Sequence, residues 1–185
     1  MQFPVPSETF ASLEIETLSA QGHNISVYSM RFKHSKYDDL IKERGLTDIK
    51  VSHFSLGAFL FSLQFSFRHP LMVLSLFWWI ICYCGHTPKH LFKSIILIPS
   101  VMAIFGSILR RKPNIVHLFW GHYPSMVGFL IKKYMSNTIV SQFLGAHDLL
   151  SAYPGSIQFS LNADLVFTHS RANLSLMETM GFDIS

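Results

Sequence analysis

Cysteine is scarce in this chain of 185 residues, which contains only Cys82 and Cys84. One intervening residue is too few for an ordinary disulfide, and no second pair is present to complete a zinc site. A disulfide-stabilised scaffold is therefore excluded. The sequence predicts instead two buried thiols in a reducing compartment.

Charged residues are also few, at 14%, whereas hydrophobic residues make up 49% and the mean hydropathy is +0.31. This composition excludes a disordered chain, and the length suits one domain with a hydrophobic core. The net charge of +4 and the pI of about 9.1 give a mild basic bias. Such a bias suits anionic membranes or phosphate-bearing ligands and is too weak to indicate nucleic acid, so we expect no nucleic-acid partner.

The chain lacks a Gly-rich dinucleotide fingerprint, a P-loop and a Gly-x-Ser-x-Gly nucleophile elbow. It also lacks internal repeats and low-complexity linkers. These absences remove the short motifs by which common catalytic sites are recognised. Polar residues at the ends of predicted strands and helices are therefore the remaining candidates for a functional site.

The clearest pattern lies in residues 114–149. Two short apolar runs, residues 115–120 and 139–144, are rich in β-branched or aromatic side chains, and a segment with helical spacing separates them. This pattern predicts a strand, a crossover helix and a second parallel strand. Ligands of open α/β sheets bind beyond the carboxyl ends of the strands, so both ends are candidate site positions.

The flanking sequence continues the alternation of helices and strands. We predict a helix that is capped by Ser7 or Thr9 and stopped by Gly22, followed by a strand over residues 24–30. A helix at residues 94–109 and a strand at residues 164–168 follow. Ser170 then caps a last helix that runs to about Met180.

These elements predict an α/β fold with a Rossmann-like, open, mainly parallel sheet and helices on both faces. Its first strand, residues 1–3, is truncated. Residues 31–52 have a polar and irregular pattern with charges of both signs. Asp38-Asp39 lies in a charged, helix-like stretch of this segment and is interpreted as a solvated surface rather than a metal site.

Residues 54–67 and 71–84 are two uncharged, aromatic-rich runs, each shorter than a membrane-spanning helix. Three interpretations stay open: a buried core hairpin, a patch lying in a membrane interface, and true membrane spans. Trp78 and Trp79, together with Lys89 and Lys93, favour the interfacial interpretation because aromatic rings and cations favour the headgroup zone. Residues 54–93 are thus a candidate membrane-associating insertion.

Polar residues recur where predicted strands end or helices begin. Such positions can hold a phosphate or sugar hydroxyls through free backbone N–H groups. If the edges are aligned, they form one polar crevice. The segments are Ser7-Glu8-Thr9, Gly121-His122, His147-Asp148 and His169-Ser170.

The ordered set of these segments resembles the N-terminal domain of retaining glycosyltransferases of the GT-B class, the large family 4. It is most similar to the enzymes that build bacterial exopolysaccharide, capsule or lipopolysaccharide chains. The resemblance covers nearly the whole chain and has family-like spacing. It rests on Phe3-Pro4-x-x-Ser7-Glu8-Thr9-Phe10, residues 14–23, Val116-His117-Leu118-Phe119-Trp120-Gly121, Gly145-Ala146-His147-Asp148-Leu149 and residues 162–171.

The resemblance implies a Rossmann-like domain that receives the acceptor and faces a second domain holding a nucleotide sugar. His147 matches the family histidine that reaches the donor sugar near its phosphates, and is expected to act in catalysis by positioning and charge stabilisation. The loop of Ser7, Glu8 and Thr9 is expected to line the crevice. His122 and Asp148 are expected to bind sugar hydroxyls.

The partners implied are a nucleotide sugar and a saccharide or lipid-linked acceptor, with no cofactor and no metal requirement. We expect one domain over residues 1–185, incomplete at both ends, because the first strand is nearly absent and the family's C-terminal donor-binding domain is absent. The chain alone is therefore expected not to transfer sugar efficiently, although its parent is a hexosyltransferase-type enzyme. We expect a cytoplasmic location, with peripheral contact at the inner, anionic membrane face left open.

Two alternatives belong to other functional classes. One is a catalytically inactive transferase-like module that binds a sugar or a partner. The other is a small integral membrane protein built on residues 54–84, which leaves the regular helix and strand alternation on either side unexplained.

Overall fold

The computed structural model describes residues 3–5, 9–33, 35–85, 87–150 and 153–184. The chain divides into two compact units, Met1–Leu60 and Phe61–Ser185, and each is described by itself. Both units combine α-helices with parallel strands, which form one sheet of two strands and one of three. The predicted α/β class of Rossmann-like, mainly parallel type is therefore confirmed.

Helix α1 (Thr9–Ala20) and strand β1 (Ser26–Tyr28) are the first helix and strand among the described residues of the first unit, and they confirm both predicted elements. Residues 1–2 of the predicted first strand lie outside the described residues. Gly22 has a φ of +87° just beyond α1, in the left-handed region that favours glycine and ends a helix. Helix α2 (Tyr37–Glu43) and strand β2 (Lys50–Ser52) follow. Strand β2 pairs in parallel with β1.

The helix-like stretch that contains Asp38-Asp39 is confirmed as α2, whereas the irregular pattern of residues 31–52 does not reveal β2. Strand β2 has a single apolar residue, Val51, so no alternating pattern is visible in the sequence. The segment becomes a strand because its backbone pairs in parallel with β1. Asp38 forms an exposed ion pair with Lys33 at 2.9 Å and Asp39 is exposed, which confirms the solvated surface.

Three apolar helices occupy the middle of the chain: α3 (Leu56–Arg68), α4 (Pro70–Cys84) and α5 (Pro88–Arg111). Helices α4 and α5 start with proline, which lacks the N–H that the first turn cannot bond anyway. The axes of α3 and α4 meet at 101°. The helix predicted at residues 94–109 is confirmed as part of α5.

Helix α4 packs one face into the second unit and exposes another. Leu76 and Ile80 are fully buried, and Trp79 is nearly so. The prediction of two buried thiols is confirmed for Cys84 and wrong for Cys82, which is exposed. The core interpretation of residues 71–84 is thus confirmed for one face of this helix.

Among the described residues, only α5 has by itself the length and hydropathy that would allow a membrane crossing. Its most apolar stretch has a mean hydropathy of 2.0, and 44% of that stretch is buried inside the protein. Helices α3 and α4 meet the criterion only as a strongly bent pair. The core helices of soluble proteins also meet this criterion, so length and hydropathy do not establish a membrane-spanning helix.

The central strand, helix and strand are confirmed as β3 (Ile115–Phe119), α6 (Pro124–Tyr134) and β4 (Ile139–Phe143). The strands are parallel and in register, with Phe119 opposite Phe143 at their carboxyl ends. Residues that follow the two strands therefore lie at the same edge of the sheet.

Two short helices, α7 (Ala146–Leu150) and α8 (Pro154–Ser160), connect β4 to strand β5 (Leu165–Phe167). Strand β5 pairs in parallel with β4, which confirms the predicted third strand. Helix α9 (Leu174–Thr179) follows a single 3-10 turn. The Ser170 hydroxyl accepts a hydrogen bond from the Ala172 N–H at 3.2 Å, so the predicted cap is confirmed, one turn before α9.

His117 lies in the middle of β3 and is mostly removed from water. Its Nδ1 lies 2.8 Å from the Ser141 hydroxyl, whereas its Nε2 is buried without a hydrogen-bond partner among the described residues. The ring packs against Phe119 and Phe167 at centroid distances of 4.8 and 5.9 Å. Burial lowers the pKa of His117 below its ordinary value of 6.5 because the charged ring loses solvation.

This lowered pKa predicts that His117 makes the protein less stable in acid. The unfolded chain takes up the proton first, so the stabilising contribution is complete above about pH 6.5 and is lost as the pH falls towards the folded-state pKa. We expect His117→Gln to lose less free energy of unfolding than the parent between about pH 7.5 and about pH 5. Urea denaturation at both pH values measures it. An equal loss in His117→Gln and in the exposed control His23→Gln contradicts the prediction.

Candidate functional site

The carboxyl ends of β3 and β4 bring His122, His147 and Asp148 together. The rings of His122 and His147 are stacked, with centroids 5.5 Å apart and planes inclined by 26°. Nδ1 of His122 lies 2.5 Å from Oδ1 of Asp148. Three of the predicted site residues thus form one cluster, as expected from parallel strands in register.

The backbone turns sharply between β3 and His122. Trp120 has a φ of +75°, an unusual value for a residue other than glycine. Gly121 follows in a place without room for a side chain: a Cβ there would lie 2.5 Å from the Leu144 side chain and closer still to the Ser156 hydroxyl. The absent side chain at Gly121 allows the end of β3 to approach α8, and this approach places His122 beside α7.

Asp148 is the buried anchor of the cluster, with 1% of its side chain exposed. Its Oδ2 accepts a hydrogen bond from the Gly145 N–H at 2.8 Å, which closes the turn between β4 and α7. The His122 Nδ1 is near Oδ1 without the alignment of a hydrogen bond. His147, on the same turn, remains exposed.

Tyr153 forms an aromatic wall behind His122 and is fully buried. Its ring is nearly parallel to that of His122, at 6.3 Å and 19°, and meets the His90 ring edge-on at 5.0 Å. Its hydroxyl lies 2.6 Å from the Ser94 hydroxyl and accepts a hydrogen bond from the Cys84 thiol at 3.2 Å. Burial raises the pKa of Tyr153 well above its ordinary value, so the hydroxyl stays protonated.

The region around His90 is electropositive. Burial is the largest cause of the lowered pKa of His90, and electrostatic interactions with His122, Lys89 and Lys93 lower it further. His90 Nδ1 is buried and has no hydrogen-bond partner among the described residues. An anionic ligand is therefore better suited to this side of the cluster than a cationic one.

A hydrogen-bond network around the buried side-chain amide of Gln142 connects the elements that carry the cluster. Gln142 on β4 is fully buried, and its Nε2 donates to the Ser125 hydroxyl at 3.1 Å and to the Trp120 carbonyl at 3.3 Å. Its Oε1 accepts a hydrogen bond from the Ser160 hydroxyl at 2.9 Å. Ser125 in turn donates to the Gly121 carbonyl at 2.8 Å. The network ties the end of β3 to β4, α6 and α8.

The remaining predicted site residues are placed differently. Ser7 and Glu8 lie outside the described residues, and Thr9 is exposed at the start of α1 in the first unit. His169 follows β5, and its ring stacks on Phe143 at 5.7 Å. The end of β5 therefore contributes a histidine beside β4.

Sequence reasoning missed Tyr153 and Gln142. Pro154 is a usable signal for Tyr153, because proline favours the first helical position and marks the start of α8. Gln142 has a weaker signal, a polar residue inside an otherwise apolar run. Among the described residues there is no cluster of three or more histidine, cysteine, aspartate or glutamate side chains that could hold a metal ion.

Comparisons with known protein families, with curated protein sequences and with solved structures returned no match to this chain. The resemblance to family 4 glycosyltransferases therefore rests on the sequence segments alone.

Proposed function

We propose that this chain is the N-terminal, acceptor-side domain of a glycosyltransferase that uses a nucleotide sugar to extend a cell-surface polysaccharide. The observation that carries the proposal is the convergence of His122, His147 and Asp148 beyond β3 and β4. This is the edge where open α/β sheets bind ligands, and it carries groups that suit a sugar and a diphosphate.

The residues of the cluster have distinct roles in this proposal. Exposed His147 meets the donor sugar near its phosphates and stabilises the charge of the departing diphosphate. The electropositive side around Lys89, His90 and Lys93 attracts the same anion. Asp148 acts as a positioning residue, because it holds the turn that carries His147 and orients His122. His122 recognises a hydroxyl of the acceptor, a saccharide or a lipid-linked sugar.

The proposal is tested in two steps. The first measures saturation-transfer NMR between the chain and a panel of saccharides and nucleotide sugars, for the parent, His147→Ala and the exposed control His23→Ala. The second measures sugar transfer by the gene's complete product. We expect binding in the parent and in the control, and a loss of transfer on the order of 100-fold in His147→Ala.

The outcomes separate the proposal from its alternative. Sugar binding without transfer by the complete product, using donors that bind, indicates an inactive sugar-binding module. The absence of both binding and transfer across the panel contradicts both functions. Transfer that is equal in His147→Ala and His23→Ala removes the role assigned to His147.

A further inference from the structure

The second unit exposes large apolar side chains on α3, α4 and the first turns of α5. The exposed fractions are 84% for Phe67, 75% for Leu71, 68% for Trp78 and 66% for Phe92. Scattered exposed apolar residues are common on soluble proteins, but a concentration of them marks an interaction site. We refer to residues 63–96 of these helices as the apolar surface.

The spacing of these residues places them in stripes. Leu71, Leu74 and Trp78 recur at helical intervals on α4, and all three are exposed. On α5, Phe92 and Ile96 are four residues apart and are both exposed. Helices α4 and α5 pack against each other, so the two stripes belong to neighbouring helices.

The charged residues of the helices that form this surface are all positive. No aspartate or glutamate occurs between Asp48 and Asp148. Arg68, Lys89 and Lys93 are exposed at the ends of the helices concerned. None of them takes part in the ion pairs found among the described residues.

An anionic lipid bilayer fits this arrangement better than a protein surface. Apolar and tryptophan side chains enter the boundary of the acyl region, while the cations next to them reach the lipid phosphates. The 101° bend between α3 and α4 and the buried opposite face of α4 suit helices that lie in the interface rather than cross it.

We propose that the apolar surface docks this protein on an anionic phospholipid bilayer as a peripheral membrane protein. The inference does not depend on the proposed transferase activity. It has a consequence for the candidate site, because α5 carries Lys89 and Lys93 of the surface and also Ser94, which contacts Tyr153. Docking therefore brings lipid headgroups close to the site, where a lipid-linked substrate is within reach.

Vesicle flotation tests the docking. Vesicles of phosphatidylcholine alone are compared with vesicles containing about 30% phosphatidylglycerol, at about 0.15 M and about 0.5 M salt. We expect the parent to float mainly with the anionic vesicles and less at high salt. The triple variant Phe67→Ser/Leu71→Ser/Trp78→Ser is expected to bind roughly tenfold more weakly. Lys89→Gln/Lys93→Gln is expected to lose the preference for anionic vesicles.

A matched control is Leu13→Ser/Phe32→Ser, whose two residues are each 64% exposed in the first unit. It is expected to float like the parent, and circular dichroism checks that every variant is folded. Equal flotation of the triple variant and this control overturns the proposal. If the parent is a dimer that does not bind vesicles and the triple variant is a monomer, the apolar surface binds a second copy of the chain instead. Retention of the parent in membranes after alkaline carbonate extraction overturns it in favour of a span.

Discussion

Gln142→Ala is expected to reduce the free energy of unfolding by about 4 kcal/mol, close to the limit that many small domains tolerate. The substitution removes a fully buried amide and leaves a cavity under the site. It also takes a hydrogen-bond partner from the Ser125 and Ser160 hydroxyls and from the Trp120 carbonyl. Chemical denaturation monitored by circular dichroism measures the change.

Gln142→Leu separates the two contributions, because leucine nearly fills the space and offers no polar atom. We expect it to cost about 2 kcal/mol, the share due to unpaired buried groups. The control is Gln64→Ala, at an exposed position of α3, with a change within about 0.5 kcal/mol. If Gln142→Leu is as stable as the parent, the amide network does not stabilise the fold.

The second sheet was predictable because its strands follow simple rules. The β-branched and aromatic runs in β3 and β4 are short, end at small or polar residues and enclose one helix. Helix α8 was not predictable in the same way. It has seven residues and starts at a proline, and its fully buried Ser156 and nearly buried Ser160 give no apolar periodicity.

Residues 54–84 show why hydropathy alone left three interpretations open. Helix α4 buries Leu76 and Ile80 but exposes Leu74 and Trp78, so both of its faces are apolar. A periodic pattern reveals the buried face of a helix only when the other face is polar. The structure distinguishes the faces by their neighbours, and sequence periodicity does not contain that information.

The site was predictable to the level of strand ends. Parallel strands in register place the residues after β3 and β4 at one edge, and this is why His122 and His147 could be paired from the sequence. The direct approach of His122 to Asp148 depends on the space left at Gly121 and on the φ of Trp120. Both are consequences of tertiary packing, which spacing does not encode.

Asp148→Ala is expected to reduce the free energy of unfolding by about 3 kcal/mol and to disturb the site at the same time. The buried carboxylate is the acceptor for the Gly145 N–H at 2.8 Å, so its removal leaves that donor unpaired and loosens the turn that carries His147. It also takes the negative charge away from His122. Denaturation measures the stability, and the imidazole proton shifts of His122 and His147 report the site.

Asp148→Asn distinguishes the acceptor role of Asp148 from its charge. The amide oxygen still accepts the Gly145 N–H, so we expect a loss of only about 1 kcal/mol, together with a changed His122 resonance because the ring no longer faces a carboxylate. Asp48→Ala, at an exposed position, is the control and should change stability by no more than about 0.5 kcal/mol. Asp148→Ala as stable as this control contradicts the anchoring role. An asparagine variant as unstable as the alanine variant assigns the stabilisation to the charge pair, and His122 is then held by Asp148 rather than by its aromatic neighbours.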